Sequence, residues 1–252
     1  MGWVSAPRWL LPRRVTAWGD SYDDENKLAT LFGPMLWPCL EGKSVIDFGC
    51  GMGVEAVEML RHGARRVIGL DIQESRLAAA RERAARAGFA GRCHFAGSTN
   101  ERAQVIVSTD SFEHFAEPRQ VLARMAELLE PGGEIWVSFG PTWYHPRGGH
   151  LFSFFPWSHL LFTERSLLAW RAQFRHDGAR RFCEVAGGLN QMTIRRFEED
   201  VSASPLQLLH LAAVPIRRLR WLHCGLTREY LSGMVQCRLA HRCAPAPASA
   251  QH

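Results

Sequence analysis

The stretch VIDFGCGMGVEA, Val45 to Ala56, carries a carboxylate, Asp47, followed by glycines at 49, 51 and 53. Glycines so spaced let a backbone approach a ligand closely, and the apolar run ahead of them reads as a strand feeding that loop. A second carboxylate, Asp71, ends the next apolar run. Its separation from the loop is about the 20 residues at which an acidic side chain holds ribose hydroxyls in nucleoside-binding folds. Further on come His114 in SFEHF, and His145, His150 and His159 in GPTWYHPRGGHLFSFFPWSHLLF. Histidine suits proton transfer near neutral pH.

The glycine loop lacks the Gly-Lys-Ser/Thr that a nucleoside-triphosphate loop requires. The string from Gly51 to Ala56 does meet the permissive G-x-G-x-x-A form of a dinucleotide fingerprint. Asp47 argues the other way, because a carboxylate there repels a pyrophosphate resting on the following helix N-terminus. It suits a ligand that presents positive charge, as the ammonium and sulfonium of S-adenosylmethionine do. Asp71 supports a nucleoside of either kind. Helix capping is the alternative role for both carboxylates.

These residues must be positioned by strand–helix units. SVIDFG, RRVIGLD, CHF, QVIVS and EIWVSF read as five strands, the last running from Glu134 to Phe139. Between them the spacing predicts helices from Gly53 to about His62, from Glu74 to Ala87 with Gly88 as the stop, and from Pro118, with Leu122, Met125 and Leu129 as an apolar stripe ended by PGG at 131–133. Repeated units of this kind imply an α/β, doubly wound parallel sheet. After Phe139 the pattern breaks into a turn-rich aromatic insert. A helix then starts with Thr163 as N-cap, another lies around Thr193 to Ser202, and Leu206–Ile216 and Met234–Leu239 supply two closing strands. The division expected is an N-terminal cap or lid over 1–43, a ligand-binding core over 44–139, the insert and its helix over 140–190, closing elements over 191–242 and a disordered tail over 243–252.

Composition narrows the setting. Net charge is +5, with 46% apolar and 22% charged residues, and Lys27 and Lys43 are the only lysines. The basic excess is too small and scattered for nucleic acid, and RRLRW (Arg217 to Trp221) reads as a solvated face. Seven cysteines without a C-x-x-C pair predict neither a disulfide framework nor a zinc site and suit a reducing cytoplasm. No stretch has the length of a membrane span or the pattern of a signal peptide or myristoyl site. No membrane partner is expected, and the chain is read as a monomer or homodimer.

VIDFGCGMG, VIGLDI, VIVSTDSFEHF and LLEPGGEIWVSF resemble, in order and spacing, the four sequence blocks of the class I S-adenosylmethionine-dependent methyltransferases, over about residues 44–139. The resemblance implies a seven-stranded, mostly parallel sheet with an antiparallel last strand and S-adenosyl-L-methionine as cofactor. It places Asp47, Gly49, Gly51 and Gly53 around the methionine end, Asp71 on the ribose and Ile72 against adenine. Asp110 joins the cofactor set, and Tyr22 is a candidate to close over the methionine moiety. Where many members carry an acidic residue after the third strand this chain reads AGSTNERAQ, so Ser98, Thr99 or Asn100 is the candidate to meet the adenine amino group.

On the acceptor side the insert follows the fifth strand, where the family often builds its pocket. Trp143 and Tyr144 supply flat apolar walls, and Arg147 is a further substrate-side candidate. His145, His150 and His114 are the candidate bases, each with a structural alternative. A metal triad of His145, His150 and His159 matches no standard zinc spacing, and no metal is expected. The predicted activity is methyl transfer to a small-molecule acceptor, at oxygen, in a biosynthetic pathway. Use of the cofactor as another alkyl donor or in a cyclisation, a dinucleotide-dependent dehydrogenase, and a catalytically silent partner subunit are the alternatives.

Overall fold

The computed structural model describes residues 27–150, 155–173, 176, 178–185 and 188–242. Tyr22, Cys243 and the tail from 243 lie outside the described residues. The chain runs α1 (Lys27–Phe32), α2 (Leu36–Leu40), β1 (Ser44–Phe48), α3 (Val54–Arg61), β2 (Arg66–Leu70), α4 (Glu74–Arg86), β3 (Cys93–Ala96), β4 (Ala103–Thr109), α5 (Pro118–Leu128) and β5 (Leu129–Phe139). It continues through α6 (Ser158–Leu161), α7 (Glu164–Arg171), α8 (Ile194–Ser202), β6 (Leu206–Pro215), α9 (Arg228–Leu231) and β7 (Ser232–His241).

The strands form one seven-stranded sheet in the order β3-β2-β1-β4-β5-β7-β6. β1 pairs in parallel with β2 and β4, and β4 with β5, whereas β7 runs antiparallel between β5 and β6. The expected doubly wound, mostly parallel architecture with an antiparallel last strand is the one observed. Alternation of side chains along each strand divides the core in two. Ile46, Ile106, Ile135 and Val137 face α5 and α8 through Leu122, Met125 and Phe197. Val45, Val67, Val105 and Trp136 face α1 to α4 through Leu28, Leu40, Val57, Met59 and Leu77. The segment from Lys27 to Leu40 thus contributes buried leucines to one main face of the sheet.

Local signals fix the helix boundaries. Thr163 and Thr193 cap α7 and α8 by accepting from the backbone N–H of Ser166 and Arg196, at 3.3 and 3.0 Å. Pro118 sits in the first turn of α5, where its missing N–H costs nothing.

One boundary differs from the sequence reading. β5 begins at Leu129, before the Pro-Gly-Gly, because Leu129 already pairs with Ala103. Residues 130–133 bulge out before Glu134 resumes the ladder opposite Val105. Leu129 is therefore the first strand residue and not part of the helical stripe.

The loop after β4 is anchored by Phe112. Its fully buried ring packs edge-on against Phe115 and Phe197, at 5.2 and 5.3 Å between centroids. Replacing it with alanine leaves a large cavity in a close-packed region. Phe112→Ala is expected to lower unfolding free energy by ~3–5 kcal/mol, read by urea titration; a loss under ~1 kcal/mol would show that the loop does not depend on this anchor.

Candidate active site

The site gathers where the parallel strands end. β1 delivers Asp47, and the chain turns through Gly49, Gly51 and Gly53, all with positive φ (87°, 49° and 73°), into α3. At Gly49 a side chain is excluded twice over: the backbone is left-handed, and a Cβ would lie 2.9 Å from the Cβ of Ser111. The loop is tied to the next strand by Asp71, whose Oδ2 accepts from the N–H of Gly51 at 3.1 Å and whose Oδ1 accepts from Gln73 at 2.8 Å. Asp71 thus fixes the loop, and each oxygen keeps a lone pair for a further donor. Ile72 beside it is 94% exposed, an apolar side chain presented at the rim. Ser98 is also exposed.

Negative charge concentrates here. Asp47 is buried, and its Oδ2 has no hydrogen-bond partner among the described residues. Burial pushes its carboxyl well above the usual range, Glu55 and Asp71 add to this, and Lys27 works against it. Lys27, from α1, reaches Glu55 Oε1 at 2.6 Å and Asp110 Oδ2 at 3.1 Å. Burial alone would depress its ammonium pKa, but Glu55 and Asp110 outweigh that and hold it charged. Asp110 adopts a left-handed backbone (φ 48°), and burial raises its carboxyl despite Lys27. One ammonium therefore serves Asp47, Glu55 and Asp110, a set that favours a ligand bringing positive charge of its own.

Across the cleft lie Glu113, His114 and the insert. Glu113 is buried, its Oε1 accepts from the N–H of Gly140 at 3.2 Å, and its Oε2 has no partner among the described residues. Burial, with Asp110 nearby, raises its carboxyl to about 8. The His114 and His150 rings meet edge to face, 5.3 Å apart. His150 holds a left-handed backbone (φ 44°), and burial lowers its imidazole to about 4.

The other insert residues take different places. His145 is also lowered to about 4 by burial, and its Nδ1 accepts from the N–H of Arg147 at 3.0 Å. In the neutral ring its proton is therefore on Nε2. His159 Nε2 donates to the carbonyl of Trp143 at 2.5 Å, with Gly149 packed on its ring, where a Cβ would meet His159 at 2.8 Å. Trp143 packs against His159 and Phe182 and joins the small core of Leu167, Leu168 and Leu189. Tyr144 stacks near Tyr230, at 5.2 Å, and Arg147 is exposed. His145, His150 and His159 therefore do not converge as a triad; His150 meets Glu113 and His114 instead.

Lys27 and Glu113 escaped the sequence reading. Lys27 left one signal, being one of two lysines in a chain whose other basic residues are arginine. Glu113 left none beyond its place beside His114.

Fold and loop together define a Rossmann-like nucleoside-binding domain. The family described as a methyltransferase domain matches residues 45–133, and the chain carries a class I S-adenosylmethionine-dependent methyltransferase domain. A ribosomal protein L11 methyltransferase of Vibrio campbellii is 36% identical over 100 residues, which are 39% of this chain and 34% of the relative. A ubiquinone biosynthesis O-methyltransferase of Sodalis glossinidius is 36% identical over 106 residues, 39% of this chain and 42% of the relative. The matched region thus spans well under half of the curated relatives. Among solved structures, an S-adenosylmethionine-dependent methyltransferase of Listeria monocytogenes superposes with a TM-score of 0.56 at 14% identity, covering 87% of this chain and 98% of that one, a likeness of fold.

Asp47 gives a test of the charge surplus. A carboxyl raised in the fold is stabilising in its protonated form, so its contribution is full below the unfolded value of about 3.9 and is lost as pH rises through the folded value. Without ligand, Asp47→Asn is expected to melt higher than the parent at pH 8, the gap closing as pH falls toward about 4. A variant that melts lower at pH 8 would show that the ionised carboxylate supports the fold.

Proposed function

We propose that the protein is a methyltransferase that transfers the methyl group of S-adenosylmethionine to an oxygen of a small-molecule acceptor. The observation that carries the reading is the buried Asp47 carboxylate beside the glycine loop, its Oδ2 without a partner among the described residues, in a site whose carboxylates outnumber Lys27. A sulfonium and an ammonium answer that surplus, and a pyrophosphate would add to it. Asp71 is positioned for the ribose hydroxyls, with Ile72 and Ser98 on the adenine side. Asp47, Gly49, Gly51, Gly53 and Asp110 form the methionine side.

Methyl transfer is an in-line displacement, so the protein's contribution is to bring the nucleophile to near-contact distance along the sulfur–methyl axis. His114 and His150 sit on the acceptor side together with Glu113. A small acceptor is supported by the insert, which folds back on its own core through Trp143, Phe182 and Leu189. A macromolecular acceptor has a specific observation in its favour, the core identity with the protein L11 enzyme, equal to that with the ubiquinone O-methyltransferase.

S-adenosylhomocysteine is expected to raise the melting temperature, and NAD to leave it unchanged. Stabilisation by NAD alone would sink the reading. Asp71→Ala should weaken S-adenosylhomocysteine binding by at least ~10-fold in calorimetry, the equivalent of ~1.4 kcal/mol. Incubation with labelled donor and either small-metabolite or ribosomal fractions separates the two acceptor classes. Release of S-adenosylhomocysteine, against methylthioadenosine, separates methyl transfer from other alkylations.

A further inference from the structure

We propose that Glu113, His114 and His150 form a binding site for one divalent first-row transition cation, of the Mn²⁺ or Zn²⁺ kind. One ligating atom from each lies within 4.8 Å of the others. Ligands held about 2.1 Å from an ion sit roughly 3–4 Å from one another, so a small contraction completes the set. The three come from two separate segments, the loop after β4 and the insert after β5, which the fold brings together.

Both imidazoles are prepared as ligands. His114 Nδ1 lies 2.8 Å from the carbonyl of Gly188, and His150 Nδ1 lies 3.0 Å from the carbonyl of Gly148. A carbonyl can only accept, so in each ring the proton is on Nδ1 and the lone pair is on Nε2. A metal-ligating histidine is commonly oriented in this way by its other nitrogen. Glu113 supplies the independent observation: the residue is 2% exposed, Oε1 is held by Gly140, and Oε2 is buried without a partner among the described residues. Leaving a carboxylate oxygen unpaired in the interior is costly, and a cation removes that cost. Asp110, whose Oδ1 is likewise unpartnered, interacts with both Lys27 and His114 and links this group to the cofactor side.

Two imidazoles and one carboxylate select a transition cation over Mg²⁺ or Ca²⁺, which prefer oxygen ligands alone. Three protein ligands leave positions open for an acceptor oxygen. In that role, which rests on the methyltransferase reading, the cation lowers the pKa of the acceptor hydroxyl and its proton leaves to solvent. The oxygen's electron pair forms the new O–CH₃ bond while the C–S bond breaks onto sulfur. The products are a methyl ether, S-adenosylhomocysteine and a proton.

The test uses the full chain stripped by EDTA and dialysis. Mn²⁺ is titrated in and free Mn²⁺ is followed by electron paramagnetic resonance; Zn²⁺ binding is measured by calorimetry. One ion per chain is expected, with affinity lowered at least ~10-fold in Glu113→Gln and in His150→Ala and unchanged in His145→Ala. No stoichiometric ion in the parent, or an affinity in both variants equal to the parent's, overturns the site. Should the variants fail to fold, nitrogen couplings from two histidines in the spin-echo spectrum of Mn²⁺ on the parent support it, and their absence overturns it. S-adenosylhomocysteine binding is measured on the same stripped protein. Nucleoside binding by a protein that takes up no added metal ion overturns the cation site and leaves the methyltransferase reading standing. A metal ion without nucleoside binding does the reverse.

Discussion

The arrangement turns on an imbalance of charge: Asp47, Glu55 and Asp110 gather at the strand ends around the single ammonium of Lys27. Carboxylates brought together and taken out of water oppose folding, and the rest of the molecule has to supply the stability that offsets them. It does so away from the cleft, where the sheet is covered on both faces by apolar side chains. A binding edge that works against the fold is thus carried on a scaffold whose two cores are mainly apolar. Ligands that arrive with positive charge relieve the imbalance, so affinity and electrostatic strain share one origin.

The same division explains how the loops are held. Asp71 spends one lone pair on each oxygen to lock Gly51 and Gln73, so a single carboxylate sets the shape of the glycine turn. After β4, Phe112 fastens the chain through Phe115 and Phe197 while Asp110, the buried Glu113 and His114 sit beside it in the same loop. After β5, the insert carries its own small core, with His159 packed on Trp143 and His150 meeting the ring of His114. In each case an apolar or hydrogen-bonded anchor lies next to a group left with unspent bonding capacity.

The sheet was legible because parallel strands buried on both faces must be near-continuous apolar runs, and VIDFG, RVIGL and QVIVS are such runs. Helix boundaries followed from Thr163, Thr193, Pro118 and Gly88, whose preferences are local. The early start of β5 was hidden because a Pro-Gly-Gly stop is also what a bulge contains, and only the pairing of Leu129 with Ala103 distinguishes them. Asp47 and Asp71 were readable from their places at strand ends. The meeting of His114 with His150 was not, since it depends on how a turn-rich segment folds back, and such segments have no period to read. Lys27 was obscured for a related reason: its partners Glu55 and Asp110 are distant along the chain, and a lone charge does not name its counterion.

The antiparallel last strand also bears on how the chain comes together. β5 has only β4 beside it until β7 inserts on its other side, pairing Ile135 with Leu239 and Phe139 with Val235. During synthesis from the N-terminus, β1 to β5 are therefore complete while one long margin of the sheet still displays unpaired amides and carbonyls. Such a margin invites pairing with a neighbouring nascent chain. The antiparallel pair of β7 and β6 covers that margin of β5, and the edge of the finished sheet passes to β6, the last strand in its order.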